Sequence, residues 1–163
     1  MSITVREATA ADAVGCAELY APYVSDTAIS FEVDPPSAEE MAARIAAAHV
    51  WLVAIEDGEV AGFAYAGEFK SRAAYARTCE VSVYLARDRT GRGIGRALYT
   101  ELLQRLTDRG FHVAVAIIAL PNDASEALHR AFGFEPAGVL RGVGFKCGEW
   151  HDVAYLQRTL APG

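Results

Sequence analysis

Cysteine, tryptophan and methionine are scarce in this chain, and it has no long apolar run. The three cysteines, Cys16, Cys79 and Cys147, are isolated and far apart. No Cys-x-x-Cys or His-x-x-x-His spacing occurs, so neither a disulfide framework nor a metal site is expected. No apolar stretch reaches membrane-spanning length, so no membrane association is expected. The opening Met-Ser-Ile-Thr-Val-Arg lacks a basic region followed by an apolar core, so a cytoplasmic location is expected. Positive charge is also short: 15 Lys and Arg face 21 Asp and Glu, a formal net charge of −6. That balance disfavours nonspecific nucleic-acid binding. The 163 residues suit one domain, 1–163, with a real core.

Hydrophobic patterning supplies the elements. Ile3 to Ala8 alternates as a strand, and Thr9 to Asp12 begins a helix with Ala13, Ala17, Leu19, Tyr20 and Tyr23 on its apolar face. Ser25 to Pro36 reads as a loop. Ser37-Ala-Glu-Glu40 is a capping box that opens a second helix to about Ala48. Trp51–Ile55 and Val60–Ala66 form a hairpin about Asp57-Gly58, which supplies the positive φ such turns need. After a polar, basic loop from Gly67 to Thr78, Cys79–Leu85 is a fourth strand. A helix from Gly93 to Arg109, a continuous apolar strand from His112 to Ala119 and a helix from Pro121 to Phe132 follow. Two last strands, Val139–Lys146 and Trp150–Arg158, end the pattern. The order β-α-α-β-β-β-α-β-α-β-β implies an α/β fold: a mixed sheet with helices on both faces.

The richest stretch is Glu80-Val-Ser-Val-Tyr-Leu-Ala-Arg-Asp-Arg-Thr-Gly-Arg-Gly-Ile-Gly95. An alternating strand runs into a turn carrying Gly91, Gly93 and Gly95, and the turn opens a long amphipathic helix. Glycines let a ligand approach backbone N–H groups closely. The helix start adds unpaired donors and the positive end of its dipole, which together favour a phosphate. Arg87, Arg89, Arg92 and Arg96 crowd the same segment, so a diphosphate is the expected guest.

This element order, with its glycine turn after the fourth strand, resembles the GNAT superfamily of acetyl-CoA-dependent N-acetyltransferases. The superfamily pattern Gln/Arg-x-x-Gly-x-Gly/Ala reads Thr90-Gly-Arg-Gly-Ile-Gly95 here, with Thr90 departing from it. Asn122-x-x-Ser-x-x-Leu-His-Arg-Ala-Phe-Gly-Phe134 also matches, with His129 where tyrosine is usual. Across nearly the whole chain, Trp51-Leu-Val-Ala, Tyr65-Ala-Gly, Lys70-Ser-Arg-Ala-Ala-Tyr75, Leu120-Pro-Asn-Asp123 and Gly144-Phe-Lys-x-Gly-x-Trp-His-Asp-Val153 look like the phosphinothricin N-acetyltransferase group of that superfamily. Cys147 departs where that group often carries histidine.

The resemblance implies a GNAT fold whose sheet splays between the fourth and fifth strands to admit the pantetheine arm. It implies acetyl-CoA held by Val83, Tyr84 and Leu85, by the turn Thr90, Gly91, Arg92, Gly93, Ile94, Gly95 and Arg96, and by Asn122, which as a residue equally suits a helix cap. Glu80, the one acid in its strand, matches the general base, and its plainer alternative is a solvated strand end. His129 matches a second catalytic position, where it would protonate the departing thiolate or assist the base; a packed core histidine is its alternative. Lys70, Arg72, Tyr75 and Phe31 match the substrate site, although their types alone fit an ordinary loop and a core aromatic. The implied substrate is a small amino acid with a tetrahedral polar head, such as L-phosphinothricin or methionine sulfoximine or sulfone, and a homodimer is implied with it. Two other readings compete: a peptide acetyltransferase, which would favour an acidic groove over the basic Lys70–Arg77 loop, and a non-catalytic acetyl-CoA-binding module, which would lack an acid/base pair.

Overall fold

Alternation of apolar side chains on both faces of the central strands forces a layer of helices on each side. The computed structural model describes residues 2–160. Strand β1 (Thr4–Glu7) leads through a 3-10 turn to helix α1 (Ala13–Asp26) and then α2 (Ala38–Ala47). Strands β2 (Val50–Glu56), β3 (Glu59–Glu68) and β4 (Thr78–Leu85) follow, then α3 (Ile94–Asp108), β5 (Val113–Ala119), α4 (Asp123–Ala131), β6 (Glu135–Lys146) and β7 (Glu149–Thr159). The seven strands form one sheet in the order β1-β2-β3-β4-β5-β7-β6. Only β4 and β5 pair parallel; the other neighbours are antiparallel. Among the described residues no helix is long and apolar enough to cross a membrane.

The expected elements are all present, with shifted ends. The last hairpin is longer than its alternation suggests, because Glu135 to Gly138 pair with β7 across a register shift. The glycine-turn helix begins at Ile94, since Gly93 is held at φ 81° as its left-handed cap. One apolar cluster joins α3 and α4 to the sheet through Ile94, Leu98, Leu102, Leu106, Val81, Ala116 and Leu156. The other joins α1 and α2 to the opposite face through Tyr20, Tyr23, Met41, Trp51, Val53 and Phe63.

The strand pairing fixes where a site can open. Strands β4 and β5 pair from Thr78–Val113 to Val81–Ala116, and there the ladder stops. Beyond that point β4 remains paired with β3 to Leu85, while β5 remains paired with β7 to Ala119. The two strands therefore part, as the sequence resemblance implies, and leave an opening in the middle of the sheet.

Candidate active site

A cavity of about 270 Å³ occupies this opening. Ser82, Val83, Tyr84 and Leu85 line one side, Ile117 to Ala119 the other, and Asn122, Ser125 and His129 of α4 close an end. A strand edge without a neighbour offers backbone groups that an extended amide-bearing chain can pair with. Not all of that edge is free, because the Tyr23 hydroxyl donates to the Leu85 carbonyl at 2.5 Å. Tyr23 and Ile29, both lining residues, carried no sequence signal beyond helix and loop patterning.

The glycine turn lies at the mouth of the opening, where Thr90 joins the lining. Gly91 and Gly93 have φ of 74° and 81°, a region in which a Cβ is strained, while the space around each is empty. The turn therefore needs glycine for its backbone shape. The N–H groups from Thr90 to Arg96 donate to no described backbone acceptor, and Gly93 makes no side-chain cap. A row of unmet donors at the positive end of the 15-residue α3 is an arrangement that favours an anion such as phosphate. Gly95 is buried, and a Cβ there would make only ordinary contact with Leu128 of α4 at 3.4 Å.

The arginines of this segment do not act as a free cluster. Arg92 donates to Glu56 at 2.8 Å, and Arg89 reaches Glu56 at 3.3 Å and Glu59 at 2.8 Å. Glu56 is 2% exposed and is the last residue of β2, directly before the Asp57-Gly58 turn. Its carboxylate fastens the turn to the β2–β3 hairpin from below. Arg87 lies over the Tyr23 ring at 5.6 Å and 3.8 Å from Asp26. Arg96 is exposed and forms no side-chain ion pair among the described residues. Arg92 and Ile94 offer the turn their backbone: one side chain is paired, and the other is fully buried.

Glu80 and His129 stand on opposite faces of the sheet. Cys79 and Val81 pack against the α3 side, so Glu80, Ser82 and Tyr84 point to the α1 side, where Tyr84 meets Tyr20 at 4.8 Å and Tyr23 at 5.3 Å. The Glu80 carboxylate accepts no described hydrogen bond. Burial raises its pKa above the ordinary value, and the nearby Lys70 ammonium partly opposes that rise. His129 is 3% exposed, wedged between the rings of Tyr99 and Phe134. Its Nδ1 lies 2.7 Å from the Ser125 carbonyl, which can only accept, so Nδ1 carries the proton. Nε2 then accepts from the Tyr99 hydroxyl at 2.7 Å. Burial lowers the His129 pKa and favours this neutral form. Both nitrogens are committed, so the ring resembles a packed wall residue more than a poised acid. Asn122 takes the role of helix cap, its Oδ1 accepting from Ser125 N at 3.2 Å.

The residues expected to hold substrate do not line the cavity; they lie on the Glu80 side or at the surface. Lys70 sits close enough to act on Glu80, with its ammonium 5.2 Å from the Phe69 ring. Arg72 and Tyr75 are exposed, and the Tyr75 ring meets Phe69 edge-on. Phe31 lies over the bare backbone of Gly144, where a Cβ would come within 2.2 Å of its ring. The loop bearing Phe31 is pinned. Lys146 donates to the carbonyls of Val24, Ser30 and Glu32, each at 2.7 Å, and Arg44 clasps Glu32 in a bidentate pair. Lys146 was missed as a role-bearing residue, because a lysine in a strand gives no hint that three distant carbonyls converge on it.

Comparisons with known proteins agree with this geometry. The family model "Acetyltransferase (GNAT) domain" matches residues 5–155. A phosphinothricin N-acetyltransferase from Streptomyces viridochromogenes is 40% identical over 97% of this chain and 88% of its own. An L-methionine sulfoximine/L-methionine sulfone acetyltransferase from Pseudomonas paraeruginosa is 38% identical over 99% and 97%. The crystal structure of a GNAT superfamily phosphinothricin acetyltransferase from Sinorhizobium meliloti, in complex with acetyl-CoA, superposes with a TM-score of 0.94. It is 41% identical and covers 99% of this chain and 90% of its own.

Glu56→Gln removes the charge that fastens the turn while keeping the side chain's size. Acetyl-CoA affinity measured by calorimetry is expected to fall about tenfold, equivalent to about 1.4 kcal/mol, because the donor row loses its fixed shape. Unchanged or tighter binding would show that Glu56 merely sequesters arginines the phosphates could use.

Proposed function

The chain belongs to the GNAT acetyltransferases, and from that premise we propose that it moves the acetyl group of acetyl-CoA to the α-amine of a small amino acid with a tetrahedral polar head. L-phosphinothricin is the foremost candidate, with methionine sulfoximine and sulfone beside it, since two of the similar enzymes described above are named for these acceptors. The observation that carries the reading is Glu80: a half-buried carboxylate with no described hydrogen bond, at the point where β4 and β5 part. Such a group is costly unless it has work to do.

Acetyl-CoA supplies the activated acetyl thioester. The turn from Thr90 to Arg96 binds phosphate through its N–H groups, and the open edge of β4 orients the arm. Glu80 takes one proton from the substrate ammonium, directly or through a water, and so frees the lone pair for direct attack on the thioester carbonyl; the C–S bond breaks, the nitrogen's surplus proton passes to the departing sulfur, and CoA leaves as the thiol. Burial raises the Glu80 pKa, which makes the carboxylate a stronger base than an exposed one. Lys70, Arg72 and Tyr75 supply cationic and donor groups for the acceptor's carboxylate and polar head. Phe31, held by Lys146, forms the apolar wall. His129 fixes α4 against α3 and shapes the cavity.

We also assign the chain to a cytoplasmic homodimer built on one acetyltransferase domain. Val139, Val143, Phe145 and Trp150 of β6 and β7 are more than half exposed, and the Phe145 and Trp150 rings pair at 5.0 Å. Exposed apolar side chains on one hairpin suit a self-complementary contact. Its solution mass at micromolar concentration should be twice the 17.5 kDa of one chain, and a monomer mass would refute the dimer.

Glu80→Gln is expected to lower kcat by roughly 100-fold or more, the scale of a lost general base, with acetyl-CoA affinity unchanged. In the parent enzyme the base is active when deprotonated. Activity should therefore rise with pH along a limb whose midpoint lies above the ordinary 4.5 of a glutamate, and Glu80→Gln should remove that limb. Near-normal turnover would return Glu80 to a structural role. Comparing kcat/KM for phosphinothricin, methionine sulfone, glutamate and a lysine peptide tests the acceptor class, and a preference for the peptide would overturn it.

A further inference from the structure

Gly67 lies inside β3, directly across the ladder from Glu80. Glycine weakens a strand interior. It is found there where the backbone takes an unusual turn, where packing leaves no room for a Cβ, or where a ligand comes close. The first two reasons fail for Gly67. It is absent from the positive-φ glycines, and its pairing with β4 runs in unbroken register from Gly62–Leu85 to Glu68–Cys79. A Cβ built on it would meet no heavy atom within 4 Å.

The other strand glycines each have a reason visible in the fold. A Cβ on Gly62 would stand 2.9 Å from Leu85, and one on Gly144 would strike the Phe31 ring. Gly138 lies at a register shift of β6, and Gly142 has φ of 61°. Gly67 is left without one. Alternation places it on the same face as Tyr65, Glu80 and Ser82. Tyr65 is stacked on Trp51 at 4.3 Å, which keeps its ring from folding over the gap. Bare backbone therefore faces open space beside the Glu80 carboxylate, and the Lys70 ammonium lies near enough to act on that carboxylate.

We propose that this volume seats the acceptor, with its ammonium toward Glu80 and its α-carbon over the backbone of Gly67, so that Gly67 sets the size of amine the enzyme accepts. The ligand class is a primary amine on a substituted carbon, as in an α-amino acid. The inference rests on Glu80 acting as the base and adds the residue that makes room beside it.

The test is a pair of variants, Gly67→Ala and Gly67→Val, assayed with methionine sulfone and acetyl-CoA. Both should fold, with Tm raised by about 1–4 °C, because a strand glycine is replaced where space is free. Acetyl-CoA affinity should stay within about twofold of the parent, while kcat/KM for the amine falls about tenfold in Gly67→Ala and further in Gly67→Val, mainly through KM. Parent-like kcat/KM in Gly67→Val overturns the proposal. A lowered Tm overturns it too, since the fold would then be using the space, and so does conversion of a dimer to a monomer, since a second copy would be using it. Glu80→Gln run alongside separates the two readings. If it is inactive while Gly67→Val is active, only the seat falls; if it is fully active, the base falls and takes the ammonium's orientation with it.

Discussion

The end of the β4–β5 ladder at Val81–Ala116 is the constraint on which the rest of the site depends. Each strand keeps its outer partner beyond that point, β4 with β3 and β5 with β7, so the parting costs only the pairing between the two. It produces three things at once. It bares the edge of Ser82 to Leu85, makes a passage through the sheet, and carries the end of β4 to the glycine turn, whose Thr90 lines the passage and whose N–H groups lack acceptors among the described residues. A helix packed over the opening would bury those groups without partners, which is costly. Helices α3 and α4 instead flank it, tied together by the hydrogen bond between the Tyr99 hydroxyl and His129.

Charge is divided between scaffold and site. Arg89 and Arg92 are bound to the buried Glu56, so the turn presents backbone dipoles where a string of guanidinium groups might have been expected. Backbone donors are fixed by the fold and lose little freedom on binding, which side-chain cations cannot match. On the other side of the sheet, Glu80 has no hydrogen bond among the described residues, and the loop of Phe31 is pinned by Lys146 and lies over Gly144. The glycine turn and Glu80 thus occupy separate regions joined by the opening.

Much of this was legible in the sequence because it is local. Alternation marked Cys79–Leu85 as a strand, and the spacing of Gly91, Gly93 and Gly95 marked a tight turn before an amphipathic helix. The splay followed from resemblance alone, since no residue near Val81 signals where a ladder stops. Long-range pairing stayed hidden. Nothing in Glu56-Asp-Gly-Glu59 shows that two arginines more than 30 residues away converge on its first carboxylate. The opposite facing of Glu80 and His129 depends on which face of the sheet each element packs against, and sequence order does not carry that. Gly67 gave no signal either, because a strand glycine becomes informative only when the space above it can be seen.

The central claim is that backbone N–H groups of the glycine turn, with the open edge of β4, form the acetyl-CoA site. The most direct measurement is a titration of 15N-labelled protein with acetyl-CoA, followed by two-dimensional amide NMR. The account predicts the largest shifts at the amides of Gly91, Gly93, Gly95 and Arg96 and along Ser82 to Leu85, with the Arg89 and Arg92 guanidinium signals little changed. Shifts confined to arginine side chains, or centred away from the turn and β4, would contradict it.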